Sequence, residues 1–279
     1  MLPPPTTTPS PAPAAAPSSK GAKRSLMSSL MDATALLRSA SFKEDSYVAA
    51  ALPLSELRAL ADLKALLARH PDPISIWGVP LNSPQQTPPA AADGAAAPPV
   101  DERADVVLLK FLRARDFKAG AAFEMLRHTL RWCRDWRSGF NPAADADLPE
   151  ELAGACYLDG ADREGHPVCY NALGVFADDA VYKKALGTEE GKARFLRWRV
   201  RAMERHVAEL DLKPGGAASL LQVTDLKNSP GPAKKDFRVA VKQVLDLFQD
   251  NYPELVARNV STHHQKGISS QNSWPMRVI

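Results

Sequence analysis

The amino-acid sequence predicts an α/β protein in which a helical N-terminal lobe precedes an incomplete βαβ lobe. Apolar residues recur at helical spacing through residues 101–137. Residues 219–250 then read strand, turn and helix, an order that normally leads to a second, parallel strand. No apolar run of strand length follows before the final MRVI. We therefore expect the βαβ unit to lack its second strand and to leave strand 219–225 at an open sheet edge.

The first hundred residues are expected to add little to the core. They contain 16 of the 24 prolines, concentrated in segments 1–40 and 80–100. These two segments are too poor in large apolar residues to offset the entropy of ordering, so they predict a disordered arm and a linker. Segment 41–79 between them predicts a helix capped by Ser55. Its apolar face comprises Leu57, Leu60, Leu63 and Leu67. A short apolar anchor follows and is expected to dock on the next domain; it comprises Ile74, Ile76 and Trp77.

The second helix of segment 101–137 carries two different faces. One apolar stripe follows helical spacing at Phe123, Leu126, Leu130 and Cys133. A separate stripe is basic and has two interpretations, a solvated helix face or a surface that contacts anionic lipid. The basic stripe consists of Arg127, Arg131, Arg134 and Arg137.

The remaining elements follow in order along the chain. Two apolar stretches flank the turn-rich residues 159–165, which predicts a β-hairpin. The helix after it should be capped by Thr188 and buried along Leu196, Val200, Met203, Val207 and Leu210. His206 on this helix has no acid or second histidine at ligand spacing, so we expect a structural role. The last helix should bury Phe237, Val241, Leu245 and Phe248.

The bulk properties exclude several classes of function. The net charge of +3 is too small to indicate nucleic-acid binding by itself. Three cysteines without CxxC spacing indicate a reducing compartment, with no disulfide framework and no zinc knuckle. The GxGxxG, GxSxG, P-loop and HExxH motifs are absent, so we expect no enzyme, no cofactor and no metal site.

The N-terminus bears on localisation. It lacks the apolar core of a secretory signal, and no apolar run of the chain reaches transmembrane length. The expected location is therefore the cytoplasm. A plastid is the alternative, because an N-terminal segment rich in Pro, Ala, Ser and Thr whose first basic residues precede any acid resembles a plastid transit peptide.

Six stretches, in order along residues 41–259, resemble the plant patellins, which join a CRAL-TRIO lipid-binding domain to a GOLD domain. They are SFKEDSYVAA with LSELRALADLK, SIWGVPL, DVVLLKFLRARDFK, DREGHPVCYN, QVTDLKNSPG and LFQDNYPEL. The resemblance implies phosphoinositide binding at membranes, in trafficking or cell-plate formation. After residue 259 the resemblance ends, so we expect a C-terminally truncated form.

The resemblance also implies two headgroup residues. In related phosphatidylinositol transfer proteins, the arginine of the RAR segment and the glutamate of the YPE segment belong to the inositol-phosphate site. These positions are Arg115 and Glu254 here. Asp116 stands where a lysine follows the RAR segment in those proteins, so the basic pair is altered. The partners implied are phosphoinositides or other anionic phospholipids, through peripheral membrane contact and without nucleic acid.

These observations divide the chain into six segments. The expected segments are an arm (1–40), a patellin-like helical segment (41–79), a linker (80–100), CRAL-TRIO N-terminal helices (101–150), a truncated lipid-binding lobe (151–259) and a non-family tail (260–279). Because the lobe is incomplete and lacks its gate, it is expected to be impaired in lipid extraction. The alternative function is a protein-interaction module that uses the N-terminal helices and arm without lipid transfer.

Overall fold

The computed structural model describes residues 47–82, 101–138, 150–230 and 234–262. The expectations for segment 1–40, for most of the linker and for residues 263–279 therefore lie outside the described residues.

These segments contain six α-helices and six strands. The helices are α1 (Leu54–Ala68), α2 (Arg103–Arg113), α3 (Ala119–Ser138), α4 (Asp179–Leu186), α5 (Glu189–Ala208) and α6 (Lys235–Asn251). The strands are β1 (Ser75–Ile76), β2 (Val79–Pro80), β3 (Cys156–Ala161), β4 (Pro167–Ala172), β5 (Leu220–Asp225) and β6 (Val256–Thr262). The predicted α/β class, with helices first and the sheet second, is confirmed.

Helix α2 is the centre of the N-terminal lobe. Most of its residues are fully buried, on every side of the helix, so it is surrounded by other elements rather than lying on the surface. Helix α1 packs against it with Ala59, Leu60, Leu63 and Leu67, which confirms most of the predicted stripe. Ser55 is not the N-cap, because the helix already begins at Leu54 with Pro53 as the cap.

The β1–β2 hairpin fixes the predicted apolar anchor on this lobe. Ile76 pairs with Val79, so Trp77 and Gly78 form a two-residue turn, and both have positive φ values of 50° and 73°. A positive φ is strained for a bulky residue. The Trp77 ring stacks on Phe111 and Tyr252, at centroid distances of 5.9 and 6.3 Å, and this packing holds the turn.

The main sheet has four strands in the order β3-β4-β5-β6. Strands β3 and β4 form the predicted antiparallel hairpin. Strands β4, β5 and β6 are mutually parallel, and α6 connects β5 to β6. The β5–α6–β6 unit is therefore a complete βαβ unit.

The prediction that no second strand follows α6 was wrong. Strand β6 pairs with β5 from Val256 to Thr262, so β5 is internal to the sheet and the boundary expected at residue 259 falls within a strand. The sequence VARNVST has few apolar residues because β6 is the outer strand of the described sheet and is only half-buried. Such an outer strand needs no continuous apolar run.

The helices that cover the sheet agree with prediction in α5 and differ in α6. Thr188 caps α5 by accepting from the Gly191 amide at 3.0 Å, and the predicted face of α5 is buried or half-buried. In α6, Leu245 is 45% exposed, and the buried face is Phe237, Ala240, Val244 and Asn251. Two stripes of helical spacing begin at Phe237, and the small Ala240 lies on the one that packs inward.

Candidate lipid-binding site

The turn after α2 presents Arg115 to solvent. The Phe117 amide donates to the Leu112 carbonyl at 2.8 Å while Asp116 has a positive φ of 50°. This combination closes a helix C-terminus in the manner of a Schellman motif. Arg115 in this turn is exposed, and its Nη1 donates to the Ala114 carbonyl at 2.7 Å. Its other guanidinium nitrogens point to no described hydrogen-bond acceptor.

Glu254 lies in the turn between α6 and β6, where its backbone and its side chain face opposite environments. It has a positive φ of 53°, and its side chain is exposed. Its carbonyl oxygen points inward and accepts from Lys110 Nζ at 2.7 Å and from Ser219 Oγ at 3.1 Å. These two hydrogen bonds stabilise a backbone conformation that glutamate rarely adopts.

A buried lysine organises the junction between the lobes. Lys110 on α2 is fully buried, and its Nζ also donates to Tyr47 Oη at 3.0 Å and to Ser219 Oγ at 3.1 Å. The three N–H donors of the ammonium thus meet three oxygens, as a buried cation requires. We call Lys110, Tyr47, Ser219 and the Glu254 carbonyl the lysine cluster. It joins α2 to the segment before α1, to the start of β5 and to the turn before β6.

The lysine cluster connects the segments of both predicted headgroup residues to helix α2. It holds the main chain of Glu254 against α2, because Lys110 donates to the Glu254 carbonyl. Lys110 precedes Arg115 by five residues in the sequence. Both side chains are exposed, on segments tied to that helix. That they contact the same headgroup stays a prediction.

The predicted basic stripe lies on the outer face of α3. Arg127, Arg131 and Arg134 are exposed, while the side chain of Arg137 lies outside the described residues. Acids offset part of the charge, since Arg127 pairs with Glu124 at 3.1 Å and Arg134 with Asp135 at 3.8 Å. Such exposed pairs are weak, so the arginines remain available to another anion.

A cleft of about 230 Å³ lies between the β1–β2 hairpin and α3. Its volume is below the roughly 300–1,000 Å³ typical of small-molecule pockets. Its lining includes Arg134 of the basic stripe, together with Ser75, Ile76, Trp77, Leu130, Cys133 and Glu204.

A second polar cluster, which the sequence did not reveal, lies between the sheet and α5. Cys156 on β3, Cys169 on β4 and His206 on α5 are all buried, and their sulfur and nitrogen atoms lie within 4.8 Å of one another. Cys169 Sγ is 3.4 Å from His206 Nδ1. We call these three residues the thiol cluster. The residues are up to 50 positions apart, so no spacing motif brings them together.

The electrostatics of the thiol cluster favour a thiolate beside a neutral imidazole. The pKa of Cys156 falls to about 6, first because the Cys169 thiol donates a hydrogen bond to it and then because Arg199 and Arg205 are positive. The same hydrogen bond, with burial, raises the pKa of Cys169. Burial and the same two arginines lower the pKa of His206 to about 4. His206 is therefore uncharged at neutral pH.

No helix among the described residues is both long enough and apolar enough to cross a bilayer.

Comparison with known families finds two matches, one after the other along the chain. The family model of the CRAL/TRIO domain matches residues 152–263, and that of the CRAL/TRIO N-terminal domain matches residues 59–128. The first match ends one residue beyond β6.

Similar proteins come from plants and fungi. Patellin-5 of Arabidopsis thaliana is 43% identical over 79% of this chain, and Patellin-6 of the same plant is 42% identical over 85%. The phosphatidylinositol transfer protein SFH5 of Meyerozyma guilliermondii is 27% identical over 62% of the chain. The alignments cover 30% of Patellin-5 and 53% of Patellin-6, so the chain spans about a third to a half of these relatives.

A crystal structure of Sfh5 has a similar fold. It superimposes with a TM-score of 0.54 at 22% sequence identity, over 74% of this chain and 70% of that one.

Proposed function

The chain belongs to the patellin family of CRAL/TRIO proteins, and on that premise we propose that it binds anionic phospholipids, phosphoinositides above all, as a peripheral membrane protein. One of its relatives is a phosphatidylinositol transfer protein by name. The observation that carries the proposal is the lysine cluster, which ties the Glu254 turn to the helix that ends beside Arg115. The cellular roles proposed with it are membrane trafficking or cell-plate formation, on the cytoplasmic side.

The proposed headgroup site divides the chemistry between two side chains. The Arg115 guanidinium can donate two parallel hydrogen bonds to one phosphate, a geometry that lysine cannot offer. The Glu254 carboxylate can accept hydrogen bonds from inositol hydroxyls. The lysine cluster has a positioning role, because it fixes the main chain of Glu254 while leaving the carboxylate free to face a ligand.

The basic stripe has a separate role in this proposal. Each basic residue near an anionic surface contributes about 1 kcal/mol, and the attraction decays within about a Debye length. Arg127, Arg131, Arg134 and Arg137 would therefore draw the protein to anionic membranes without distinguishing one headgroup from another. Selectivity would then come from the headgroup site alone.

The headgroup site is tested with vesicles of matched charge. We expect the full chain to prefer vesicles with a phosphoinositide over vesicles with enough phosphatidylserine to equal their charge. Arg115→Ala should remove that preference, because losing a charge-assisted hydrogen bond lowers affinity roughly tenfold to a hundredfold. Arg58→Ala, at an exposed arginine of α1, is the control. Preference that survives Arg115→Ala would contradict the site.

The basic stripe is tested by reversing its charge. Arg127→Glu combined with Arg131→Glu should abolish vesicle binding at low salt, and high salt should weaken binding of the unsubstituted chain. The control combines Arg58→Glu with Arg69→Glu, two exposed arginines at and after α1. Binding that resists both salt and charge reversal would point to an apolar mode of membrane contact instead.

Lipid extraction needs its own measurement. Impairment is expected if the lobe is incomplete, and β6 supplies one of the elements expected to be missing, the second strand of the βαβ unit. Transfer of a labelled phospholipid between vesicles measures extraction directly. The alternative, a protein-interaction module, predicts neither transfer nor headgroup preference but capture of a partner protein by the N-terminal helices.

A further inference from the structure

The thiol cluster is a set of three metal-binding side chains that the lipid proposal does not use. Cys156, Cys169 and His206 come from two neighbouring strands and one covering helix, and all three are buried. Their pairwise separations of at most 4.8 Å are close to those of ligands that share one metal ion. For tetrahedral zinc, with Zn–S about 2.3 Å and Zn–N about 2.0–2.1 Å, a sulfur and a nitrogen ligand are roughly 3.5 Å apart. Cys169 Sγ and His206 Nδ1 are 3.4 Å apart.

Strand register argues against a disulfide as the purpose of this pair. Cys156 lies opposite Asn171, and Cys169 lies opposite Leu158, so the two cysteines are diagonal neighbours. Diagonal positions in an antiparallel pair are roughly 7–8 Å apart, whereas a disulfide needs Cα atoms about 4.4–6.8 Å apart. A metal ion spans such a gap without moving the backbone, because it lies between the sulfurs. Both cysteines are free in the structure.

Asn171 is a second, independent observation beside the cluster. Its side chain is buried, and its Nδ2 donates to Cys169 Sγ at 3.9 Å. Its Oδ1 is buried without a hydrogen-bond partner among the described residues. A buried polar oxygen without a partner is costly, and native structures rarely leave one without a reason. A flip of the amide would exchange Oδ1 with Nδ2, which is 3.9 Å from Cys169 Sγ, and the oxygen would then be placed to become a fourth ligand or to accept from a metal-bound water.

We propose that Cys156, Cys169 and His206 form a binding site for one zinc ion, completed by Asn171 or by a water molecule. Two thiolates and a neutral imidazole suit a thiophilic ion such as zinc and do not suit magnesium or calcium. Arg199 and Arg205 lie close enough to Cys156 for their positive charges to offset the negative charge of the thiolates. Zinc binding would release the Cys169 proton to solvent.

The test uses the reduced full chain and cobalt(II) as a spectroscopic probe for zinc. We expect one cobalt ion per chain, with a thiolate-to-cobalt charge-transfer band and the intense visible bands of tetrahedral coordination. Zinc should remove these bands by displacement, and magnesium should not. Cys156→Ser and Cys169→Ser should lose the charge-transfer intensity. Cys133→Ser, at the third cysteine and outside the cluster, should keep it.

A second measurement needs no substitution and so does not depend on the variants folding. Zinc should slow alkylation of Cys156 and Cys169, but not of Cys133, in the intact chain. Asn171→Ala should lower zinc affinity roughly tenfold to a hundredfold. Unchanged alkylation with zinc would overturn the proposal, as would cobalt bands that persist in Cys156→Ser. Neither readout involves lipid, so failure of the lipid proposal would leave this one untouched.

Discussion

The hydrogen-bonding groups of the lysine cluster and of the thiol cluster, both buried among the described residues, are satisfied to different degrees. The lysine cluster gives each of the three ammonium donors of Lys110 an oxygen acceptor. The thiol cluster packs two sulfurs and an imidazole together while the adjacent Asn171 Oδ1 has no described partner. The first cluster joins parts of the chain that are distant in sequence. The second joins neighbouring strands to a helix that already packs on them.

This difference separates a structural contact from a candidate binding site. A buried charge with all its hydrogen bonds made is costly to disrupt, because any substitution leaves oxygens without donors. A buried cluster with an unpaired oxygen has already incurred part of that cost in the absence of a ligand. Substitutions in the two clusters should therefore differ in their effect on stability, even though burial is similar.

The largest effect should come from Lys110→Met. Methionine fills a similar volume but removes the lysine donor from Tyr47 Oη, from Ser219 Oγ and from the Glu254 carbonyl, which keeps only the hydrogen bond from Ser219. We expect a loss of roughly 2–4 kcal/mol in the free energy of unfolding, because hydrogen bonds to a charged group are involved. Urea unfolding measures it. The exposed Lys118→Met should change stability by no more than about 0.5 kcal/mol, as surface substitutions do. Equal unfolding midpoints for the two variants would mean that the lysine cluster is not structural.

A smaller effect should appear as pH dependence from the thiol cluster. The pKa of His206 is about 4 in the folded chain and 6.5 ordinarily, so between these values the unfolded chain binds a proton that the folded chain does not. Stability should thus be complete above pH 6.5 and fall by roughly 1–3 kcal/mol as pH drops to 4. Urea unfolding with a chelator present, at pH 7 and pH 4.5, measures the loss. His206→Gln should flatten this part of the profile, and an equally steep profile in that variant would assign it to other groups.

The smallest effects should come from a matched pair of variants, one in each cluster. Ser219→Ala removes a hydroxyl that both donates and accepts in the lysine cluster, and should cost roughly 1–2 kcal/mol. Asn171→Leu removes an unpaired oxygen at similar volume, and should change stability by less than about 1 kcal/mol in either direction. Thermal unfolding of both variants in metal-free buffer compares them. The reverse order of costs would remove the distinction between the clusters.

Sequence reasoning succeeded where local pattern determines structure. The face of α5 and its Thr188 cap follow from spacing and hydrogen-bonding chemistry within one helix. It failed for β6, because the outer strand of a sheet is half-buried and needs few apolar residues. It also placed Leu245 on the buried face of α6, since two stripes of helical spacing share Phe237 and only tertiary packing selects one.

The candidate sites show the same limit. Arg115 and Glu254 were identified by motif resemblance, whereas the exposure of their side chains depends on the conformation of the folded turns. No local pattern shows that Lys110 meets Glu254, or that His206 meets Cys169, because these contacts depend on strand order and register. The sequence signal for the lysine cluster was Lys110 itself, because a lysine is unusual within the apolar run VVLLKFL.

The lysine cluster also sets an order for folding on the ribosome. Lys110 and the Glu254 carbonyl are 144 residues apart, and the core around α2 includes Tyr252 and Leu255. At about 5–20 residues per second, the earliest helices wait roughly 7–30 s for the residues that complete their core. Until then the ammonium of Lys110 must stay hydrated, so α2 cannot yet be enclosed. The helices of the N-terminal lobe are thus synthesised before the sheet, and the lobe is among the last parts to close.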